Sequence, residues 1–115
     1  MSKRSDKELL QDISEASKRI QTYISGITYT TFLDDKKTQD AVIRNLEIIG
    51  EATKNLSTNL RSTYSTIPWR SIARMRDRLI HGYFGVNVDI VWDIITAELG
   101  ELTKQIAEMS NEGEK

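Results

Sequence analysis

The stretch Arg70-Ser71-Ile72-Ala73-Arg74-Met75-Arg76-Asp77-Arg78-Leu79-Ile80-His81-Gly82-Tyr83 decides how this chain is read. It holds four arginines, the only histidine, and a tyrosine two residues beyond it. Its spacing predicts a helix from Pro68 to about His81. Proline suits the first helical position, where its missing N–H would have no partner, and Gly82 can take the left-handed conformation that ends a helix. At about 100° per residue, Ile72, Met75 and Leu79 share one sector, which Trp69, Ala73 and Ile80 extend. Trp69 reads as a core anchor. Arg70, Arg74, Asp77 and His81 cluster on the opposite side, with Arg78 at their border. This is a basic stripe with one acid embedded in it.

Arg76 breaks the pattern by pointing between the apolar residues. A buried guanidinium is costly unless it has partners. Two readings stand: a salt bridge with Glu51 or Asp93 (or snorkelling to the surface), or a cation held beside a cleft or subunit interface. His81 is likewise either a cap favoured by the helix dipole or a group that transfers protons near neutral pH. Asp77, one turn earlier, could orient its ring.

Outward from this helix, apolar residues recur at helical spacing in three longer segments. Leu9, Ile13, Ala16, Ile20, Tyr23 and Ile27 mark a helix from about Asp6 to Gly26, with Ser5 and Glu8 as a capping box. Thr28 to Thr31 reads as a β-branched polar connector. Asp34 or Asp35 opens a second helix running to about Leu56, striped by Val42, Leu46, Ile49, Ala52 and Leu56. Ile43 and Ile48 widen its apolar surface toward a further neighbour. Asn45, Glu47 and Glu51 read as solvent-side groups, although Glu51 could pair with an arginine of the central stretch. Leu60 and Tyr64 suggest a short helical turn capped by Ser57. The last helix follows Asn87, with Val88, Val91, Ile95, Leu99, Leu102, Ile106 and Met109 in line and Trp92 beside them. Together these predict an all-α, up-and-down antiparallel bundle of four main helices and one short turn. Leftover apolar surface leaves a homodimer and a fully internal core equally open.

Composition narrows the classes. The 115 residues suit one domain, 1–115, with polar tails at 1–5 and 110–115. Hydrophobic residues at 38% and charged residues at 29% exclude a disordered chain. A formal net charge of -1 means that any nucleic-acid binding must come from a local patch. The absence of cysteine excludes disulfides, and one histidine argues against a zinc site. No apolar run spans a bilayer and the polar start is no signal peptide, so no membrane role and a cytoplasmic location are expected.

The combined residues suit RNA cleavage without metal or cofactor. A base must take the 2′-hydroxyl proton, a cation must stabilise charge on the phosphoryl oxygens, and an acid must protonate the leaving oxygen. One histidine and one positioned arginine are meagre for this. Two copies meeting across a symmetric interface would supply two of each.

The run Arg76-Asp77-Arg78-Leu79-Ile80-His81-Gly82-Tyr83 resembles the Arg, four residues, His, any residue, Tyr motif of HepT-like toxins in the HEPN superfamily. Ile43 to Ala52, Ile67-Pro68-Trp69-Arg70 and Val88-Asp89-Ile90-Val91-Trp92 resemble further family landmarks in the same order, so the likeness covers roughly residues 5–109. It implies a homodimeric HEPN-like bundle with the motifs lining a cleft between protomers. It implies a metal-independent endoribonuclease, the toxin of a type VII-like pair whose antitoxin is a minimal nucleotidyltransferase. Arg76 and His81 carry over as the catalytic pair and Asp77 as the polar residue after the motif arginine. Tyr83 carries over as the acceptor of AMP. On this likeness Arg76 points to the dimer cleft. Arg70, Arg74 and Arg78 are then candidates to hold RNA phosphates, with Asn45 and Glu51 as supporting polar groups. The alternative is a non-catalytic nucleotide-binding or scaffold module for a nucleotidyltransferase.

Overall fold

Helix α1, Asp6–Ile24, begins where its capping box places it: the Ser5 hydroxyl accepts from the Glu8 amide at 3.1 Å, and the Ser5 amide donates to the Glu8 carboxylate at 2.9 Å. The computed structural model describes residues 4–80 and 85–113. Leu9, Ile13, Ala16, Ser17 and Ile20 form the buried face of α1. Tyr23, expected on that stripe, is 39% exposed because α1 ends one residue later and the chain turns through Gly26 at positive φ.

The expected connector is in part a helix. α2, Tyr29–Asp34, is capped by the Thr28 hydroxyl, which accepts from the Thr31 amide. Phe32 drives it, fully buried in the core and packed on Trp92 with ring centroids 5.1 Å apart. The Gln39 amide donates to the carbonyls of Phe32 and Leu33, satisfying groups that the helix end leaves open. Tyr29 reaches from α2 to hydrogen-bond Asp89. That bond, more than burial, raises the Tyr29 pKa above its ordinary value.

Asp35 opens α3, Lys36–Lys54, by accepting from the Thr38 amide and hydroxyl. Its stripe of Val42, Leu46, Ile49 and Ala52 is buried, and Leu56 follows it into the core. Asn45 is not solvent-side. It is 5% exposed, its amide donates to the Ala41 carbonyl, and its side-chain oxygen has no partner among the described residues. α4, Thr58–Thr63, is capped by Ser57 as its sequence suggests. The Ser57 amide and hydroxyl also donate to Asp6, tying the start of α1 to the start of α4.

The central stretch is two short helices rather than one. α5 spans Trp69–Ala73 and α6 spans Met75–Leu79, with Arg74 between them at φ -94°, ψ 21°. The break falls where α3 presses closest. A Cβ added at Gly50 would lie 2.9 Å from the Met75 Cβ and 3.3 Å from the Ile72 carbonyl oxygen. Ile72, Met75 and Leu79 are still buried together. Trp69 is 6% exposed with its indole N–H on the Tyr64 carbonyl, a core anchor as expected. The helix ends at Leu79 instead of about His81: Ile80 is extended, 43% exposed, and forms an isolated antiparallel bridge with Val86.

Asn87 caps α7, Val88–Asp93, through its side-chain oxygen and the Ile90 amide. α7 runs without interruption through a π-helical segment, Ile94–Glu98, into α8, Leu99–Gly113. The extra residue in the wider turn lets Ile94, Ile95 and Leu99 all reach the core. α1 packs on α3 and α8, α3 packs on α5 and α6, and α6 packs on α7. The elements therefore close a ring around one core, in an all-α bundle. The bridge at Ile80 and Val86 is the only β pairing among the described residues.

Candidate nucleic-acid interface

The residues of α5 and α6 that do not enter the core face two grooves. Arg70, Arg74, Asp77 and Arg78 line one of about 1340 Å³, so these members of the expected stripe stay together across the interruption at Arg74. The fold adds two cations that sequence spacing had not connected to it: Lys54 from the last turn of α3, and Arg61 from α4. Five cations thus meet one carboxylate in a chain of net charge -1. No local pattern could have paired Lys54 or Arg61 with Arg70, because only the return of the chain through α4 brings them together.

The cations are not equally available. The Arg78 guanidinium donates to Glu98 at 2.6 Å, linking α6 to the π-helical segment, and its Nη1 is buried without a partner among the described residues. Arg74 and Asp77 approach at 3.7 Å, both well exposed, a pair of little energetic weight. Arg70, Arg61 and Lys54 form no ion pair among the described residues.

Arg76 faces the other way. It lines a second groove of about 410 Å³ with Arg4, Asp12, Arg44, Glu47 and Glu51. Its side chain is exposed, so of the two readings the buried ion pair does not occur among the described residues. Neither Glu51 nor Asp93 forms an ion pair with it among the described residues, although Glu51 shares its groove. Lys54 and Ala73 line both grooves, which are therefore neighbours. Asn45 lies in the core and lines neither. His81 and Tyr83 lie outside the described residues.

Chemically, the larger groove offers guanidinium and ammonium donors at a concave surface, which suits a polyanion. Among the described residues, no group of three His, Cys, Asp or Glu side chains could hold a metal ion. No described helix is long and apolar enough to cross a membrane.

The family model described as "Ribonuclease HepT-like" matches residues 13–109. A Thermococcus cleftensis protein named "Probable ribonuclease HepT" is 50% identical over 87% of this chain and 91% of its own length. A Methanocaldococcus jannaschii protein named as a candidate RNase is 46% identical over 95% of this chain and 90% of its own. Another so named, from Caldanaerobacter subterraneus, is 49% identical over 75% of this chain and 77% of its own. No solved structure gives a significant match.

Proposed function

We propose, on the premise that this chain belongs to the Ribonuclease HepT-like family, that it is a metal-independent endoribonuclease acting as the toxin of a toxin–antitoxin pair. The observation that carries this reading beyond family membership is the basic groove of Arg70, Arg74 and Arg78, adjoining the groove of Arg76. RNA phosphates bind the first and the reacting phosphate meets the second.

In this mechanism His81 takes the proton from a 2′-hydroxyl, whose oxygen attacks the adjacent phosphorus. The bond from phosphorus to the 5′-oxygen breaks, and that oxygen takes up a proton. Arg76 stabilises charge on the phosphoryl oxygens as the new bond forms. Asp77 orients one of the pair. A homodimer places two copies of Arg76 and His81 at one cleft, so that one histidine acts as base and the other as acid. Arg76 is exposed and forms no ion pair among the described residues, which supports its availability to a substrate or a second chain.

Control falls to Tyr83. A nucleotidyltransferase antitoxin transfers AMP from ATP to its phenolic oxygen, releasing pyrophosphate. The added phosphate repels RNA from the cleft and the adenosine obstructs it. The test is incubation of RNA with the purified protein in EDTA. Cleavage by the wild-type protein and none by His81→Ala, with the dimer intact, is the expected result. Intact RNA in both would reject the nuclease and favour a binding module for a nucleotidyltransferase.

A further inference from the structure

The basic groove extends past the central arginines onto α3 and α4, and this extension has its own chemistry. Lys54 and Arg61 stand on its wall, neither held by a carboxylate among the described residues. By contrast, Arg78 is already engaged by Glu98 and Arg74 approaches Asp77. Among the described residues the groove's cations without a carboxylate are therefore Arg70, Lys54 and Arg61, and the last two lie outside the central stretch.

The groove's other lining residues distinguish among polyanions. Pro68, exposed, and Ala73, half-buried, give it an apolar component, whereas Ile67 and Trp69 belong to the core beneath. A duplex keeps its base faces stacked inside and presents backbone, 2′-hydroxyls and base edges, so it makes little use of apolar surface. A single strand uses both, with phosphates on the cations and base faces against apolar side chains. Thr58, Ser62 and Ser71 add hydroxyls within reach of a sugar–phosphate chain. Continuity gives direction. Lys54 lines both this groove and that of Arg76, so a strand seated at Arg76 runs past Lys54 toward Arg61.

We infer that Lys54 and Arg61 form an outlying subsite for single-stranded RNA, which holds the substrate at a distance from the bond that is cut. This rests on the nuclease reading and gives its substrate a strandedness and a path. The probe is a single-stranded RNA with 2′-O-methyl sugars, which binds but cannot be cleaved, titrated by fluorescence anisotropy at several salt concentrations. Each phosphate contact on a single strand contributes about 0.7 to the slope of log affinity against log salt. Lys54→Ala/Arg61→Ala is expected to lower that slope by about 1.4 and to weaken binding roughly tenfold. Arg61→Lys keeps the charge and restores most of the affinity. Lys104→Ala, on an exposed position of α8, leaves binding unchanged.

Equal affinity and slope for the double variant and the wild type overturn the subsite and favour an acidic protein partner for the groove. Tighter binding of a duplex of the same length also overturns it, as does failure of the wild type to bind RNA. Because the probe cannot be cut, the two readings fail separately. A protein that binds it through Lys54 and Arg61 but cleaves no ordinary RNA loses the nuclease assignment alone. A protein that cleaves RNA, with binding indifferent to both residues, loses the subsite alone.

Discussion

Two glycines in helices should respond to the same substitution with opposite signs. At Gly50 an added methyl meets the Met75 Cβ at 2.9 Å and the Ile72 carbonyl at 3.3 Å. Both atoms are set by the backbone, so no side-chain rotation relieves the contact. Overpacking of this kind costs about 1–3 kcal/mol. Alanine recovers up to about 1 kcal/mol of helix propensity over glycine. The net expectation for Gly50→Ala is a loss of about 1 kcal/mol. With 115 residues and about 2.1 cal/mol/K of unfolding entropy each, that is about 4 °C in Tm. Gly100 lies in α8 with nothing within 4 Å of an added Cβ. Gly100→Ala gains the propensity term alone and should raise Tm by up to about 4 °C. Thermal unfolding followed by circular dichroism reads both. Because α3 must withdraw from the α5–α6 junction in Gly50→Ala, RNA cleavage should also fall in that variant and not in the other. A Tm that rises in both variants would refute the close approach of α3 and, with it, the account of the break at Arg74.

Thr28→Ala removes the cap of α2 and should cost about 1 kcal/mol, read as a lower urea midpoint with unchanged m-value. Asp35 and Glu8 both have pKa values lowered in the folded state. For Asp35 the first cause is the Thr38 hydroxyl, and for Glu8 the Ser5 amide. A carboxylate with a depressed folded pKa contributes stability above its unfolded pKa and loses it as pH falls through the folded one. Tm should therefore decline as pH drops below the ordinary carboxylate range, and the decline should be shallower in Asp35→Asn. Tyr83→Phe should stay unmodified when the protein is incubated with a cognate nucleotidyltransferase and ATP, whereas the wild type gains the mass of AMP. Equal mass gain in both would move the acceptor elsewhere.

Local chemistry was written plainly in the chain. Ser5 with Glu8, Asp35 with Thr38, Ser57 and Asn87 each start a helix by a bond that spans three residues, so adjacent sequence contains the whole interaction. The apolar spacing of α1, α3 and α7–α8 likewise marks most of the buried faces, because a helix repeats its geometry without outside help. The same logic read Thr28 to Thr31 only as a polar connector, whereas Thr28 caps a short helix that buries Phe32.

The central stretch itself determined that a basic stripe would lie opposite Ile72, Met75 and Leu79, and Arg70, Arg74, Asp77 and Arg78 line one groove there, while His81 lies outside the described residues. What it could not determine was the direction of Arg76. Nor does any glycine or proline mark the interruption at Arg74 that divides α5 from α6. That interruption coincides with a contact from Gly50, more than 20 residues away. Nor could it supply Lys54 and Arg61, whose nearness to Arg70 exists only once α4 doubles back. Spacing in a sequence encodes the faces of one helix. The meeting of two helices is settled by packing, which is short-ranged in space and indifferent to distance along the chain.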